Sequence, residues 1–401
     1  MKRITYIFTA LVAAALIVMG ACQKEIINYN DGYDDGLTPA GPPEIEYIIM
    51  AVDTAQKPAH IESADMGAII EIHGKNLSQV KSITFNGLEA DPREWYATNP
   101  FVAVRIPRAL LDEDKITDKV VVTTSKGQAE ATMKIAAPKL IVTGFYNDFA
   151  EPGDTVQLLG SNFDLYEFGE GGEVKWEATE ELLSIVEVNT EYLRVVLPAA
   201  VPTDERSIFS VTSTIYQEKV STTPVRVALR DAGLVAQNYE GTWGTDFSTT
   251  GTNAGDPKPF SGLTKYTRVA TEYDAYKWDW ILGTGYNLNL NDPDWDMKNH
   301  PEQYQIKMEV NSTGAIPSVV TLIFEGSAEG DGHRFSWKPN FDTGKKWRTV
   351  TFEVTTFQNA GWDFSKEKST DYSGFAIAIQ PSAAVAVDFS IANARFVKKL
   401  E

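Results

Sequence analysis

The sequence predicts an all-β protein made of consecutive β-sandwiches. Three observations support this fold class. A strand-and-turn pattern repeats between residues 43 and 229, strand-like runs follow one another after residue 230, and no helix-length 3.6-residue periodicity stands out there. At 401 residues the chain is also too long for one ordinary hydrophobic core. We therefore expect several domains in series.

The N-terminus has the pattern of a secretory signal. Lys2 and Arg3 precede an apolar run from Ile4 to Met19, and small residues then lead to the sole cysteine, Cys22. The run is short and ends in small residues, which indicates a cleaved signal rather than a spanning helix. A cysteine at this point resembles a bacterial lipobox, so we expect residues 1–21 to be a lipoprotein signal peptide and Cys22 to be acylated. The alternative is an ordinary signal peptide with an incidental cysteine.

The charge of the chain limits its partners. The formal net charge is −19, which argues against nucleic acid and against polyanionic glycans. From Arg230 onward, 22 acidic and 17 basic residues leave a net charge of only −5.

Residues 22–42 are polar and rich in Gly, Pro and Asp, which is typical of a flexible tether.

An internal repeat follows the tether. Residues 67–77 (GAIIEIHGKNL) align with residues 153–163 (GDTVQLLGSNF) at an offset of 86. The short strands and turn residues of each copy predict small antiparallel sandwiches over 43–136 and 137–229. Gly74 and Gly160 are expected to supply a positive φ after the strand. The pattern resembles immunoglobulin-like TIG modules, and we interpret both copies as spacers without chemistry of their own.

Residues 230–401 are predicted to form a two-sheet jelly roll. The strand-like runs are rich in β-branched and aromatic residues and are bounded by turn residues. They are Tyr266–Thr271, Tyr276–Leu282, Tyr304–Val310, Val319–Phe324, Arg334–Trp337, Arg348–Val354, Gly374–Ile379 and Val385–Ile391.

This C-terminal part contains seven of the nine tryptophans and is the expected working end. Trp295 is the strongest candidate for a ligand contact, because a large apolar ring in so polar a loop needs a reason. In the run AYKWDW, three aromatics alternate with polar residues, so they share one face of a predicted strand. That face is either packed interior or a platform for a ligand. The candidate glycan-binding residues are Trp295, Tyr286, Trp278, Trp280, Tyr276, Trp337 and Trp362.

No catalytic motif is recognisable in the sequence. A glycoside hydrolase needs two carboxylates across the scissile bond, and the abundance of Asp and Glu leaves that alternative open. Oxygen-bearing side chains over residues 287–296 could hold calcium, but Pro293 interrupts them and the calcium-loop spacing is missing. We expect no cofactor and no metal, with calcium as the less favoured alternative.

Four motifs in order resemble the C-terminal domain of the surface glycan-binding proteins of Bacteroidota polysaccharide-utilisation loci. They span Tyr304–Val310, Phe335–Pro339, Gly344–Phe352 and Asp388–Phe396. Two positions depart from the family pattern: Asn340 stands where the family often has Trp, and Ala392 where it often has Asp.

The resemblance implies a non-catalytic lipoprotein in the outer membrane that faces the cell exterior and captures a polysaccharide for uptake. It also implies a TonB-dependent transporter and a companion surface glycan-binding protein as partners. The tryptophans and the nearly balanced charge favour a neutral glycan of the glucan or hemicellulose class. The alternative is an adhesin that binds a protein partner, since tandem immunoglobulin-like modules suit that role as well.

Overall fold

The structure is a computed structural model. It describes residues 38–51, 58–109, 111, 113–168, 172–214, 222–231, 234–237, 248–286, 296–297, 299–326, 334–364 and 373–400. These residues form two compact units, one ending at Lys139 and one beginning at Leu140. Most of their regular structure is antiparallel β-sheet, which confirms the predicted all-β fold class. None of the helices found in these ranges is long and apolar enough to cross a membrane.

The first unit is an antiparallel sandwich. Its described strands are β1 (Glu44–Met50), β2 (Ser63–Asp65), β3 (Ile69–Lys75), β4 (Val80–Phe85), β5 (Leu88–Glu89), β6 (Trp95–Ala97), β7 (Phe101–Arg105), β8 (Lys119–Thr124), β9 (Gly127–Thr132) and β10 (Lys134–Ala136). One sheet has the order β1-β3-β7-β6 and the other β5-β4-β8-β9, and β10 pairs with β2 in parallel. Alternate residues are fully buried in both sheets, including Ile72, Val102, Ile83 and Val122, as expected for sheets with one inner face.

The repeated glycines have a different role from the predicted one. Gly74 and Gly160 do not have a positive φ; instead, Asn76 (φ 58°) and Asn162 (φ 70°) adopt the left-handed conformation. A Cβ atom on Gly74 would overlap the carbonyl oxygen of Glu44 on the neighbouring strand, and Gly160 is confined in the same way. The repeat therefore uses glycine for close strand approach and asparagine for the turn, a role that Asn fills readily.

The second unit begins with the second copy of the module. Its described strands are β11 (Ile141–Phe145), β12 (Thr155–Ser161), β13 (Glu173–Trp176), β14 (Glu181–Leu182), β15 (Ser184–Val188), β16 (Tyr192–Val196), β17 (Ser207–Thr212) and β18 (Val225–Leu229). The sheets have the orders β11-β12-β16-β15 and β14-β13-β17-β18. The predicted domain boundaries themselves stay predictions.

The C-terminal part of this unit contains two further sheets. The described strands are β19 (Leu234–Gln237), β20 (Ser248–Thr249), β21 (Tyr266–Tyr273), β22 (Asp279–Tyr286), β23 (Tyr304–Ser312), β24 (Leu322–Glu325), β25 (Arg334–Trp337), β26 (Arg348–Glu353), β27 (Ser373–Ile379) and β28 (Val385–Lys398). One sheet has the order β20-β21-β28-β23-β26, with β19 also paired to β28, and the other β22-β27-β24-β25. Helix α1 (Val354–Asn359) follows β26, and short 3-10 helices occur at Pro92–Glu94, Glu113–Lys115, Phe163–Leu165 and Pro301–Gln303.

A single aromatic-rich core lies between these two sheets. Phe324 of β24, Ile377 of β27 and Phe396 of β28 are nearly or fully buried in it. The sequence did not predict α1, whose Phe357 is fully buried in the same core and packs against Phe335 with ring centroids 4.2 Å apart. A six-residue helix is too short to show a periodic pattern.

A buried ionic cluster joins the second module to this C-terminal sandwich. Arg395 of β28 lies 2.8 Å from a Glu309 oxygen and 2.9 Å from an Asp148 oxygen, and it is fully inaccessible to solvent. Lys307 makes a second contact with Asp148, at 3.0 Å. Burial raises the pKa of Glu309 to about 7, against the attraction of Arg395. Asp148 follows β11, whereas the other three groups lie on β23 and β28, so the cluster bridges the two sandwiches.

Hydrogen bonds beside the cluster continue this connection. The Asp148 N–H donates to the Thr349 hydroxyl at 2.8 Å, and the Thr349 N–H donates to the Tyr146 carbonyl oxygen at 2.8 Å. Arg395 Nε also donates to the Asp231 carbonyl oxygen at 2.7 Å. Because buried polar groups are costly to leave unpaired, these contacts hold the two sandwiches in one arrangement.

We expect Arg395→Met to lower the free energy of unfolding by about 3–5 kcal/mol, because it leaves Glu309 and Asp148 buried without their shared cation. The measurement is urea unfolding followed by tryptophan fluorescence. Lys119→Met is the control, since Lys119 forms an exposed pair with Glu130 that is worth no more than about 1 kcal/mol. Equal losses for both substitutions would contradict a special role for the cluster.

Candidate functional site

Two of the predicted contacts cannot be placed by their side chains. Trp295 lies outside the described residues, as do residues 287–294 before it. Tyr286 is the last residue of β22, and its side chain also falls outside the description. Both remain predictions.

Two other predicted contacts are corrected by the structure. Trp362 is only 2% exposed and stacks on Phe364 within the core, with ring centroids 5.4 Å apart. Trp337 is half-buried and packs on Phe324 and Phe352 of the same core. The Trp362 ring is covered by the core, and Trp337 pairs with the core residue Leu322 on the inner face of its sheet, so neither tryptophan suits the predicted role.

The segment AYKWDW is partly a turn rather than one continuous strand. Strand β22 begins only at Asp279, and Tyr276 has a left-handed φ of 61°. The Tyr276 N–H donates to the Pro381 carbonyl oxygen at 2.7 Å, and Gln380 Nε2 donates to the Tyr276 carbonyl oxygen at 3.3 Å. The predicted alternation over the whole run is therefore wrong, yet the turn leaves the Tyr276 side chain 72% exposed.

Trp280 lies on the outer face of its sheet. In the cross-strand register it pairs with Ala378, which pairs with Ile323, which pairs with Ser336. Side chains on the alternate positions, such as Phe324, point into the core. Trp280 is 40% exposed, so this face carries a large indole ring that the protein covers only in part. Of the two alternatives for the aromatic face of AYKWDW, Trp280 therefore fits the surface platform rather than the packed interior.

Trp278 extends the outer face. Its ring centroid lies 5.4 Å from that of Trp280, with the rings nearly perpendicular at 81°. The Arg334 guanidinium lies 5.4 Å from the Trp278 ring, and Arg334 Nε donates to Glu325 at 2.9 Å. Strands β22 and β25 are opposite edges of the sheet, roughly 14 Å apart. Because the inner face is filled by the core, the two side chains meet over the outer face, which we call the tryptophan face (Trp278, Trp280 and Arg334).

Sequence reasoning missed Arg334. It belongs to the predicted strand Arg334–Trp337, in which Arg334 and Ser336 alternate with Phe335 and Trp337. This alternation puts Arg334 and Ser336 on the face opposite the aromatic pair. The sequence contained no signal that β25 would bring this face next to Trp278, since the two are more than 50 residues apart.

Both basic side chains around the tryptophan face contact a neighbouring group. Arg334 is paired with Glu325, and Lys277 lies 5.7 Å from the centre of the Tyr273 ring. The Tyr273 hydroxyl donates to Asp279 at 3.4 Å. Burial and the nearby charge of Asp279 together raise the pKa of Tyr273 to about 12. The face therefore offers apolar ring surface and hydrogen-bonding groups without a large excess of either charge, which suits an uncharged, hydroxyl-rich ligand.

The calcium alternative is not tested by the structure. Of the residues 287–296, only Asp296 is described, and its Oδ1 accepts from Asn299 Nδ2 at 2.7 Å. Elsewhere in the described ranges, no group of three or more His, Cys, Asp or Glu side chains is placed to hold a metal ion.

Comparison with solved structures gives weak overall similarity. The surface glycan-binding protein PbSGBP-B from Prevotella bryantii is 18% identical over 90% of this chain and 99% of that one, with a TM-score of 0.46. SGBP-B from a complex xyloglucan utilization locus in Bacteroides uniformis is 13% identical over 89% and 99%, with a TM-score of 0.37. Among curated proteins, no match is found.

A protein-family model gives a more specific result. Residues 230–398 match the model described as the surface glycan-binding protein B xyloglucan binding domain. This range contains the two sheets of the C-terminal sandwich and every residue of the tryptophan face. The resemblance to surface glycan-binding proteins that the sequence predicts is therefore confirmed for the C-terminal domain.

Proposed function

We propose that this protein binds a neutral polysaccharide on the tryptophan face of its C-terminal domain and performs no chemistry on it. The observation that carries the proposal is the pair of indole rings, Trp278 and Trp280, on the outer face of a sheet, where Trp280 is 40% exposed and Trp278 is half-buried. The family match over residues 230–398 supports a role in glycan binding.

Indole rings recognise sugars through a simple contact. One face of a pyranose ring carries axial C–H groups and is apolar, so stacking it on an indole buries apolar area and leaves the hydroxyls around the rim. On the tryptophan face, Arg334 has further N–H groups beside the Trp278 ring that can donate to those hydroxyls. Trp278 and Trp280 are nearly perpendicular, so they can contact two adjoining sugars or a backbone sugar and its branch.

The ligand that we propose is a β-glucan of the hemicellulose class, with xyloglucan as the first probe. The family description names xyloglucan, and the paired charges beside the rings favour an uncharged chain. A branched chain also suits two rings that present their faces in different directions.

The carboxylates beside the rings do not suggest hydrolysis. Glu325 is held by Arg334, and Asp279 accepts from the Tyr273 hydroxyl. A glycosidase needs one carboxylic acid and one carboxylate facing each other across the sugar bond, roughly 5–10 Å apart. We therefore propose a binding role and no cofactor. Incubation with xyloglucan should release no reducing sugar.

We further propose that acylated Cys22 anchors the chain in the outer membrane, facing the exterior, with residues 22–42 as the tether. Capture at the surface would then supply a TonB-dependent transporter, together with a companion surface glycan-binding protein. Support comes from the N-terminal sequence pattern and from the family to which the C-terminal domain is matched.

Trp278→Ala and Trp280→Ala should each weaken binding to xyloglucan by about 1–3 kcal/mol, because a stacked ring is lost. At roughly tenfold per 1.4 kcal/mol, the loss is measurable by calorimetry and affinity gel electrophoresis. Trp295→Ala tests the strongest sequence prediction in the same way.

Tyr96→Ala is the control for these substitutions, since Tyr96 is an aromatic of the first module that is 65% exposed. It should leave binding unchanged. Retention of full affinity by both tryptophan variants would contradict the proposed site. If no neutral glycan retards the unmodified protein, the adhesin alternative is favoured.

Cys22→Ala should move the protein from the membrane fraction to the soluble fraction, because two or more acyl chains are needed for stable anchoring and none would remain. Cell fractionation measures the distribution of the protein, and labelled palmitate measures its acylation. Trp278→Ala should stay in the membrane fraction; an unaltered distribution of the Cys22 variant would contradict the lipid anchor.

A further inference from the structure

A cleft lies between the second immunoglobulin-like module and the C-terminal sandwich. Its volume is about 370 Å³, within the range of small-molecule sites. The module contributes Tyr146, Gln157, Tyr192 and Arg194, and the C-terminal sandwich contributes Lys346. The cleft belongs to a different part of the fold from the tryptophan face, because it adjoins β12, β16 and the start of β26 rather than β22 to β25.

The module wall of the cleft is an outward face of one sheet. Gln157 of β12 pairs directly with Arg194 of β16 in the cross-strand register. Tyr192 lies two residues before Arg194 and so faces the same side. Their neighbours Val195 and Leu193 are fully buried on the other side, which fixes the direction of this wall.

Glu187 holds two of these side chains in place. The Tyr192 hydroxyl donates to Glu187 Oε1 at 2.8 Å, and Arg194 Nη1 donates to Glu187 Oε2 at 3.1 Å. These two hydrogen bonds lower the pKa of Glu187, so it stays ionised at neutral pH. The charge of Arg194 is thereby neutralised, while its remaining N–H groups and the Tyr192 oxygen can still bond to a ligand.

The opposite wall is fixed to the first by the junction described above. The Tyr146 carbonyl oxygen accepts from the Thr349 N–H, and the Arg348 guanidinium lies 4.9 Å from the centre of the Tyr146 ring. The buried ionic cluster begins two residues from Tyr146, at Asp148. Both walls are consequently preorganised, which lowers the entropic cost of binding.

From this arrangement we propose that the cleft is a second saccharide-binding site, which takes one or two sugars of a neutral glycan. The Gln157 amide supplies both a donor and an acceptor, Tyr192 and Arg194 supply further polar groups, and Tyr146 and Tyr192 supply aromatic surface. Sugar hydroxyls act as donors and acceptors at once, so this mixture suits them better than it suits a purely anionic or purely apolar ligand.

A second site in the same unit changes how a polymer binds. A long glycan that engages both sites gains from the high effective concentration of the second contact, and an oligosaccharide too short to span the two sites lacks this gain. The cleft needs side chains from both sandwiches, so it does not exist in either sandwich alone. This gives the rigid junction a functional consequence.

The test is hydrogen–deuterium exchange with a xyloglucan heptasaccharide, followed over segments 142–160 and 188–198. Binding in the cleft should protect these segments in the unmodified protein and in the Trp278→Ala, Trp280→Ala double variant. In Gln157→Ala, Lys346→Ala, half-maximal protection should need about tenfold more oligosaccharide. Gln157→Leu keeps the bulk of the side chain and removes its amide, so it should show the same direction of change without a loss of fold.

Three results would overturn the proposal: no protection of these segments, protection that the cleft variants leave unaltered, or binding of acidic but not of neutral oligosaccharides. The tryptophan face is monitored separately through segment 276–282. If that segment is not protected while the cleft segments are, the proposed function at the tryptophan face fails and the cleft site stands.

Discussion

The structure of the second unit depends on the contact of Arg395 with Glu309 and Asp148. Three charged groups removed from water are tolerated only when they satisfy one another, so the sandwiches that supply them are confined to one arrangement. Lys307 adds a second cation to Asp148, and hydrogen bonds from the backbone extend the contact along β26. The last module and the C-terminal sandwich therefore present their surfaces together as one body.

Exposure of the tryptophan face follows from the alternation of side chains between the two faces of the sheet β22-β27-β24-β25. Phe324 and Ile377 fill the core, so residues in register with Ala378 must face outward, and Trp280 is one of them. The bulge between Trp280 and Leu282 matters here, because a shift of one residue exchanges the two faces of a strand. This face suits the stacking contact with a sugar ring that we propose.

The sequence was sufficient for the fold class and the repeated module. It could not tell which aromatics face outward, because strand periodicity groups side chains without saying which group is inside. Trp337 and Trp362 were misassigned for this reason, and Arg334 was missed because its position beside Trp278 depends on the pairing of distant strands. The role of Gly74 could not be read from the local sequence either, because glycine is required there by the close approach of the Glu44 backbone on another strand.

The most direct measurement is a crystal structure of the protein with a bound xyloglucan oligosaccharide. The account predicts sugar rings stacked on Trp278 or Trp280, with hydroxyls within hydrogen-bonding distance of Arg334. A complex in which the sugar is bound elsewhere on the C-terminal domain and both indole rings remain uncovered would contradict it.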